Sequence, residues 1–277
     1  MDFVSAGGAD IPSLGLGTYR LSGGTCRRAV ETALEAGYRH VDTAEYYDNE
    51  RAVGEAITAS SVDREDVFLT TKVWRSHLQA DDVRTAAEAS LERLGVEYVD
   101  LLLIHWPNPR VPVGETLEAM ATLREEGAVR HIGVSNFTRE QLAEAIDATE
   151  VPIVTDQVLY HPYKDQTQLL EYCSNNDLAL TAYSPLARGA VLDDDTLRTI
   201  GERYGKSAAQ VTIRWLLQHD GVLAIPRSSS PEHIRANADV FDFELTDDEM
   251  ATIDDLSGGF SVRLQDFLPT FMRSIPF

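Results

Sequence analysis

The chain has 277 residues, 43% of them hydrophobic, so it is long enough to bury a large core and does not have a disordered composition. Its 24 Lys and Arg against 45 Asp and Glu leave a formal net charge of −21, and a surface this acidic repels phosphates, which excludes nucleic acid and anionic membrane as partners. Lysine stands at positions 72, 164 and 206, and every other basic residue is arginine; lysine depletion among acids spread along the whole chain fits a protein adapted to high salt, where screening relieves self-repulsion.

In chain order, the opening Met-Asp-Phe-Val-Ser lacks the basic-then-apolar pattern of a secretion signal. No apolar run approaches the ~20 residues of a membrane span. Cys26 and Cys173 lie far apart without a Cys-x-x-Cys spacing, so neither a disulfide framework nor a zinc ribbon is expected. These features fit a cytoplasmic protein. Eight short apolar runs follow one another: Leu14–Gly17, Tyr38–Thr43, Val67–Val73, Val99–His105, His131–Ser135, Ile153–Gln157, Leu178–Ser184 and Val222–Pro226. Several are apolar almost throughout, as strands covered on both faces should be. Between them, segments such as Cys26–Ala36, Ala80–Leu94, Gly114–Glu126 and Glu140–Ala148 repeat apolar residues at helical spacing. Thr138 with Gln141, and Ser230 before Pro231, have the form of helix starts. Two helical patterns, Asp194–Tyr204 and Ala208–Gln218, precede the last run, so one is an insertion; two more, near Pro231–Asp239 and Asp247–Leu256, follow it.

Eight βα units in series predict an α/β fold of one (β/α)8 TIM barrel across residues 1–277. An extra helix and a C-terminal tail, Gly258–Phe277, laid over the barrel mouth would complete it. A doubly wound open sheet that binds a dinucleotide would carry Gly-x-Gly-x-x-Gly after its first strand. Gly15-Leu16-Gly17-Thr18-Tyr19 stops at the second glycine.

Active sites of such barrels form where the strands end. The residues at those ends are Gly17-Thr18, Asp42, Lys72, His105, Ser135-Asn136, Gln157, Tyr183-Ser184 and Arg227-Ser228. An ammonium closing an apolar strand needs a partner, and Asp42 on the neighbouring strand is the natural one. That pair is either structural or part of a site. Tyr47, five residues past Asp42, lies within reach of the same mouth, and a nearby cation would lower its phenol pKa from ~10 and make it a usable acid toward a carbonyl oxygen. His105 is a satisfied core histidine or a hydrogen-bond donor to that same oxygen. His131 and His161 have no ligand partner at useful spacing, so no metal site is expected.

Asp42-Thr-Ala-Glu-Tyr-Tyr47 with Asn49-Glu50, Leu103-Ile-His105-Trp-Pro107, Ile132-Gly-Val-Ser-Asn-Phe137, Gln157 with Tyr160-His161-Pro162, Ala182-Tyr-Ser-Pro-Leu186 and Ile225-Pro-Arg-Ser228 occur in that order. Over Leu14 to Asn237 the chain closely resembles the aldo-keto reductase superfamily, above all its bacterial 2,5-diketo-gluconate and aldehyde reductase-like group. The resemblance implies a barrel enzyme that reduces an aldehyde, ketone or keto-sugar with a nicotinamide cofactor, and a monomer. Tyr47 would protonate the substrate oxygen, Lys72 paired to Asp42 would tune it, and His105 would orient the carbonyl. Tyr183 would stack on the nicotinamide ring, with Ser135, Asn136 and Gln157 on its carboxamide; Gly17, Thr18 and Ser184 sit with them. Leu186 would line the pyrophosphate path and Arg188 contact the phosphates.

The adenosine end departs from the family pattern. Arg227 stands where a lysine is usual, His233 where an arginine grips the 2′-phosphate, and Ala236 where an acid is usual, while Ser228 and Asn237 match. Arg227 keeps a charge suited to that phosphate, so NADP (NADPH) is expected over NAD, with NAD possible. Arg235 would compensate for His233 if it faced the site. Tyr19, Trp74 and Trp106 are the expected substrate pocket. Two rival readings remain: a Schiff-base lyase with Lys72 as nucleophile, and a non-enzymatic nucleotide-sensing barrel.

Overall fold

The computed structural model describes residues 2–259. The expected tail lies outside the described residues from position 260 onward. The chain begins with an antiparallel hairpin, β1 (Phe3–Ala6) and β2 (Ala9–Pro12), which the sequence reading did not anticipate. Its two-residue turn, Gly7-Gly8, has φ of +54° and +81°, left-handed values that glycine adopts without a Cβ clash.

Eight parallel strands follow: β3 (Leu16–Gly17), β4 (His40–Asp42), β5 (Phe68–Val73), β6 (Val99–Ile104), β7 (Val129–Ser135), β8 (Ile153–Leu159), β9 (Ala179–Tyr183) and β10 (Val222–Ile225). They pair in chain order from β3 to β10. A parallel bridge between Leu14 and Ala224 joins the two ends of the sheet, with Gly15 N–H donating to the Ala224 carbonyl at 2.9 Å and Gly17 N–H to the Pro226 carbonyl at 3.1 Å. The expected eight-stranded barrel is therefore present, each strand within a few residues of its apolar run.

The helices run α1 (Gly23–Glu35), α2 (Glu50–Ala59), α3 (Ala80–Leu94), α4 (Val113–Glu125), α5 (Arg139–Asp147) and α6 (Thr167–Asn175). Both α7 (Asp195–Tyr204) and α8 (Ala208–Gln218) stand between β9 and β10, as the sequence predicts, and α9 (Pro231–Ala238), α10 (Asp247–Asp254) and the short α11 (Leu256–Gly259) follow β10. The two predicted helix starts are real caps. Thr138 and Gln141 form a reciprocal capping box on α5, and Ser230 caps α9 with Pro231 in its first turn. None of the described helices is long and apolar enough to cross a membrane.

Strand alternation divides the core in two. Leu102 and Ile104 of β6 face outward into the large layer between strands and helices, whereas Leu101 and Leu103 face inward. The inward set packs with Ala6, Ala9 and Ile11 of the hairpin, so β1 and β2 plug the end of the barrel opposite the strand C-termini. The same alternation on β6 carries His105 inward at the open end, and Lys72 of β5 and Asp42 of β4 meet it there.

Candidate active site

The floor of the mouth is an ion pair. Lys72 Nζ lies 2.5 Å from Asp42 Oδ1, donates to the Thr43 carbonyl at 2.8 Å, and stands 3.4 Å from the Tyr47 hydroxyl. Gln157, across the barrel on β8, donates its side-chain N–H to Asp42 Oδ2 at 2.7 Å. Both carboxylate oxygens thus have donors, and the pair is almost wholly buried. Burial pulls the Lys72 pKa down, against the pull of Asp42 in the other direction.

Tyr47 sits in a 3₁₀ turn, Glu45–Tyr47, just past β4. Here the structure corrects the expectation of a lowered phenol pKa. Burial pushes the Tyr47 phenol well above its usual range, and the Asp42 charge adds to this. The reason is that Asp42 largely cancels the ammonium, leaving desolvation of the phenolate as the dominant effect. His105 ring contacts are edge-on to Tyr47 at 5.5 Å, Trp74 at 5.1 Å and Tyr46 at 6.3 Å. Burial, and secondarily the Lys72 charge, hold its pKa well below 6.5, so the imidazole is neutral. Its Nδ1 meets no hydrogen-bond partner among the described residues.

A cavity of about 820 Å³ opens above this floor. Tyr19, Trp74 and Trp106 line it, and so do Tyr46, Arg20 and Leu192, which the sequence does not single out. Tyr46 carried no signal of its own, because a Tyr-Tyr pair does not say which ring turns inward. The cavity runs on past Gly17, Ser135, Asn136, Gln157 and Tyr183 to Ser184, Leu186 and Arg188, then to Arg227, Ser228, His233 and Asn237. A cavity of this size, lined by aromatic rings such as Tyr183 and also by Arg227, has room for a dinucleotide. At Gly17 a Cβ would come within 2.8 Å of the Ile225 carbonyl, so the wall there has to be bare backbone.

Ser135, Asn136, Gln157 and Tyr183 are bonded to one another more closely than the sequence suggests. Ser135 Oγ donates to the Gln157 carbonyl at 2.7 Å. Asn136, at φ +63°, donates to the His105 carbonyl at 3.0 Å and to Ser135 Oγ at 2.9 Å, and accepts from the Tyr183 hydroxyl at 2.9 Å. These side chains brace one another as well as facing the cavity. Ser184 and Arg188 are also left-handed, at φ +50° and +54°, so the backbone past β9 turns sharply beside the cavity.

One expectation fails, and the condition set on Arg235 is not met. Thr18 is fully buried, its hydroxyl donates to the Asp42 carbonyl at 2.9 Å, and it does not line the cavity; its short side chain is used up inside the β3 loop. Arg235 does not compensate for His233: its guanidinium turns to Glu35 on α1, 3.4 Å away, because that face of α9 lies against α1 and not the cavity. The lyase reading also meets an obstacle, since the Lys72 amine is fully buried and held by several partners, where a Schiff-base nucleophile must reach substrate.

Comparison with known proteins agrees with this geometry. Residues 13–257 match the model of the aldo/keto reductase family. The chain belongs to that family. It is 42% identical over 251 residues to the glyoxal reductase of Bacillus subtilis (strain 168), covering 90% of each chain. It is 46% identical over 253 residues to an aldo-keto reductase of Mycobacterium sp. (strain KMS), covering 91% of each. It superposes with a TM-score of 0.92 on a protein proposed to be a 2,5-diketo-D-gluconic acid reductase B, at 44% identity and with 98% and 97% of the two chains covered. An aldo-keto reductase is an NAD(P)H-dependent oxidoreductase, and the barrel, flanked by helices, has that family's architecture.

Proposed function

We propose that the protein reduces an aldehyde, ketone or keto-sugar to the alcohol with NADPH, using Tyr47 as the general acid. The observation that carries this is the Tyr47 hydroxyl beside the buried Lys72–Asp42 pair, with a neutral His105 next to it on the floor of a long cavity. Reduced nicotinamide, when bound, supplies hydride to the carbonyl carbon. The chain supplies the rest. Tyr47, with its pKa raised, keeps its proton through neutral pH and gives it up as negative charge grows on the substrate oxygen. Lys72, 3.4 Å away, stabilises the phenolate as it forms. A neutral His105 has an N–H to orient the carbonyl. Tyr183, Ser135, Asn136 and Gln157 would hold the nicotinamide, and Ser184, Leu186 and Arg188 the pyrophosphate, so that the reacting atoms are fixed before the proton moves.

NADPH is preferred in this reading because Arg227, exposed at the far end of the cavity, offers a guanidinium to a 2′-phosphate, with Ser228, His233 and Asn237 beside it. The large exposed apolar side chains among the described residues are Phe3, Tyr46 and Leu192, and the last two line the cavity, which supports a monomer. The charge of −21 supports a salt-adapted one. Oxidation of NADPH by methylglyoxal and nitrobenzaldehyde tests the activity. Tyr47→Phe is expected to lower turnover by about 10²-fold or more, and wild-type turnover in that variant would remove Tyr47 from the mechanism. The same assay with NADH is expected to give the lower kcat/KM.

A further inference from the structure

Three consecutive residues after β4 each reach across to the next strand and its loop. Tyr47 turns to Lys72. Tyr46 stacks on Trp74, with ring centroids 4.0 Å apart and planes 15° from parallel. Glu45 accepts the backbone N–H of Trp74 through Oε1, and His77 Nδ1 lies 3.1 and 3.2 Å from its two oxygens. The Glu45 side chain is 11% exposed, although its neighbour Tyr46 is 44% exposed. From the other side, the Asn108 amide donates to the Arg75 carbonyl at 2.9 Å.

Loops after adjacent parallel strands are free to diverge unless something ties them. Glu45 ties these two. A carboxylate gripping a backbone amide is a strong, directional bond, and it fixes the backbone at the residue whose ring stacks on Tyr46 and packs edge-on to His105. Displacement of that ring by even ~1 Å would move the surface against which substrate lies. Tyr19 and Trp106 extend the aromatic lining. A carbonyl conjugated to a ring gains contact with such walls, and a compact aliphatic carbonyl does not.

We propose that Glu45 is a positioning residue that sets the aromatic wall of the substrate cavity, and that through this wall the enzyme favours flat aryl aldehydes and ketones over compact aliphatic carbonyls. This rests on the carbonyl-reductase reading above. The test compares nitrobenzaldehyde with methylglyoxal in the wild type, Glu45→Ala, Glu45→Gln and Tyr46→Leu, with near-ultraviolet circular dichroism recorded on each. Glu45→Ala is expected to raise KM for nitrobenzaldehyde about ten-fold with little change in kcat, to alter methylglyoxal kinetics less than about two-fold, and to lose the dichroic signal of the stacked pair. Glu45→Gln keeps an oxygen for the Trp74 N–H and is expected to restore all three. Tyr46→Leu changes an exposed side chain and removes the stack with Glu45 intact, so the same selective loss is expected there even if Glu45→Ala fails to fold. Equal losses on both substrates, unchanged nitrobenzaldehyde KM in Tyr46→Leu, or no rescue by glutamine would overturn the proposal. A wild type that reduces neither compound would instead sink the reductase reading, with the dichroism then deciding whether Glu45 holds the wall.

Discussion

Asp42 and Asp156 are both buried on strands of one barrel, yet their surroundings differ in almost every respect. Asp42 faces inward, and its two oxygens accept from Lys72 and from Gln157. Asp156, next to Gln157 on β8, takes the opposite face of the strand and lies among residues of the outer layer. Its Oδ1 has a long contact, 3.5 Å, from the Phe137 N–H, and its Oδ2 meets no partner among the described residues. Burial pushes the Asp156 pKa from 3.8 up to about 8, so it is mostly a neutral acid at pH 7. The difference teaches that burial alone does not decide the state of a carboxyl group. What decides it is whether a cation and a full set of donors arrive with it.

The comparison is tested most severely at Lys72. Lys72→Met strands Asp42 without its cation and is expected to cost about 3–5 kcal/mol of stability, with turnover falling on the order of 10²-fold. The double variant Lys72→Met/Asp42→Asn removes the stranded charge, so it is expected to regain much of the stability and none of the turnover. Denaturant melts and the NADPH assay measure both, and a double variant no more stable than Lys72→Met would break the contrast.

Asp156→Asn should act in the opposite direction. Because the folded-state pKa is raised, the folded protein holds a proton that the unfolded chain releases above about pH 4. That stabilising contribution is complete below about pH 4 and is lost as the pH climbs to about 8. Asparagine has the shape of the protonated acid and no charge to develop. Its advantage over wild type is therefore expected to be absent in acid, to grow through neutrality and to level off above pH 8, reaching roughly 10 °C in Tm. A pH-independent difference would show that Asp156 is ionised throughout.

The smallest effect separates interior from surface. Raising the salt from dilute buffer to ~1 M screens exposed charges and buried ones much less. The Tm of the wild type is expected to rise, since −21 charges repel one another, while the gap between wild type and Asp156→Asn stays constant. A melting point indifferent to salt would remove the case for salt adaptation.

Much of this architecture could be read in the sequence because burial leaves a plain mark. Runs such as Val99–His105 are apolar on both faces, and helices such as α3 repeat at their own period. Asp42, Lys72 and His105 could be read because a polar residue closing an apolar strand is conspicuous. The hairpin Phe3–Pro12 could not, since its strands are four residues each and owe their form to what they plug. Asp156 was hidden beside Gln157, because two adjacent polar residues at a strand end do not say which one faces in. The raised pKa of Tyr47 was hidden because it depends on burial and on the Asp42 charge, which a nearby cation in sequence does not reveal. Arg235 and His233 share one helix turn, and only the packing of α9 against α1 shows which of them looks into the cavity.

The hairpin also orders events in time. Ala6, Ala9 and Ile11 rest on Leu101, Leu103, Val154, Ala179 and Leu223, which lie about 90 to 220 positions further along the chain. The hairpin must therefore wait for the later strands of the barrel before its binding surface exists. Contacts of such long sequence separation are costly to close and form late. Interactions absent until the end of folding slow unfolding more than they speed assembly. The plug thus works as a latch, contributing chiefly to how long the finished barrel lasts.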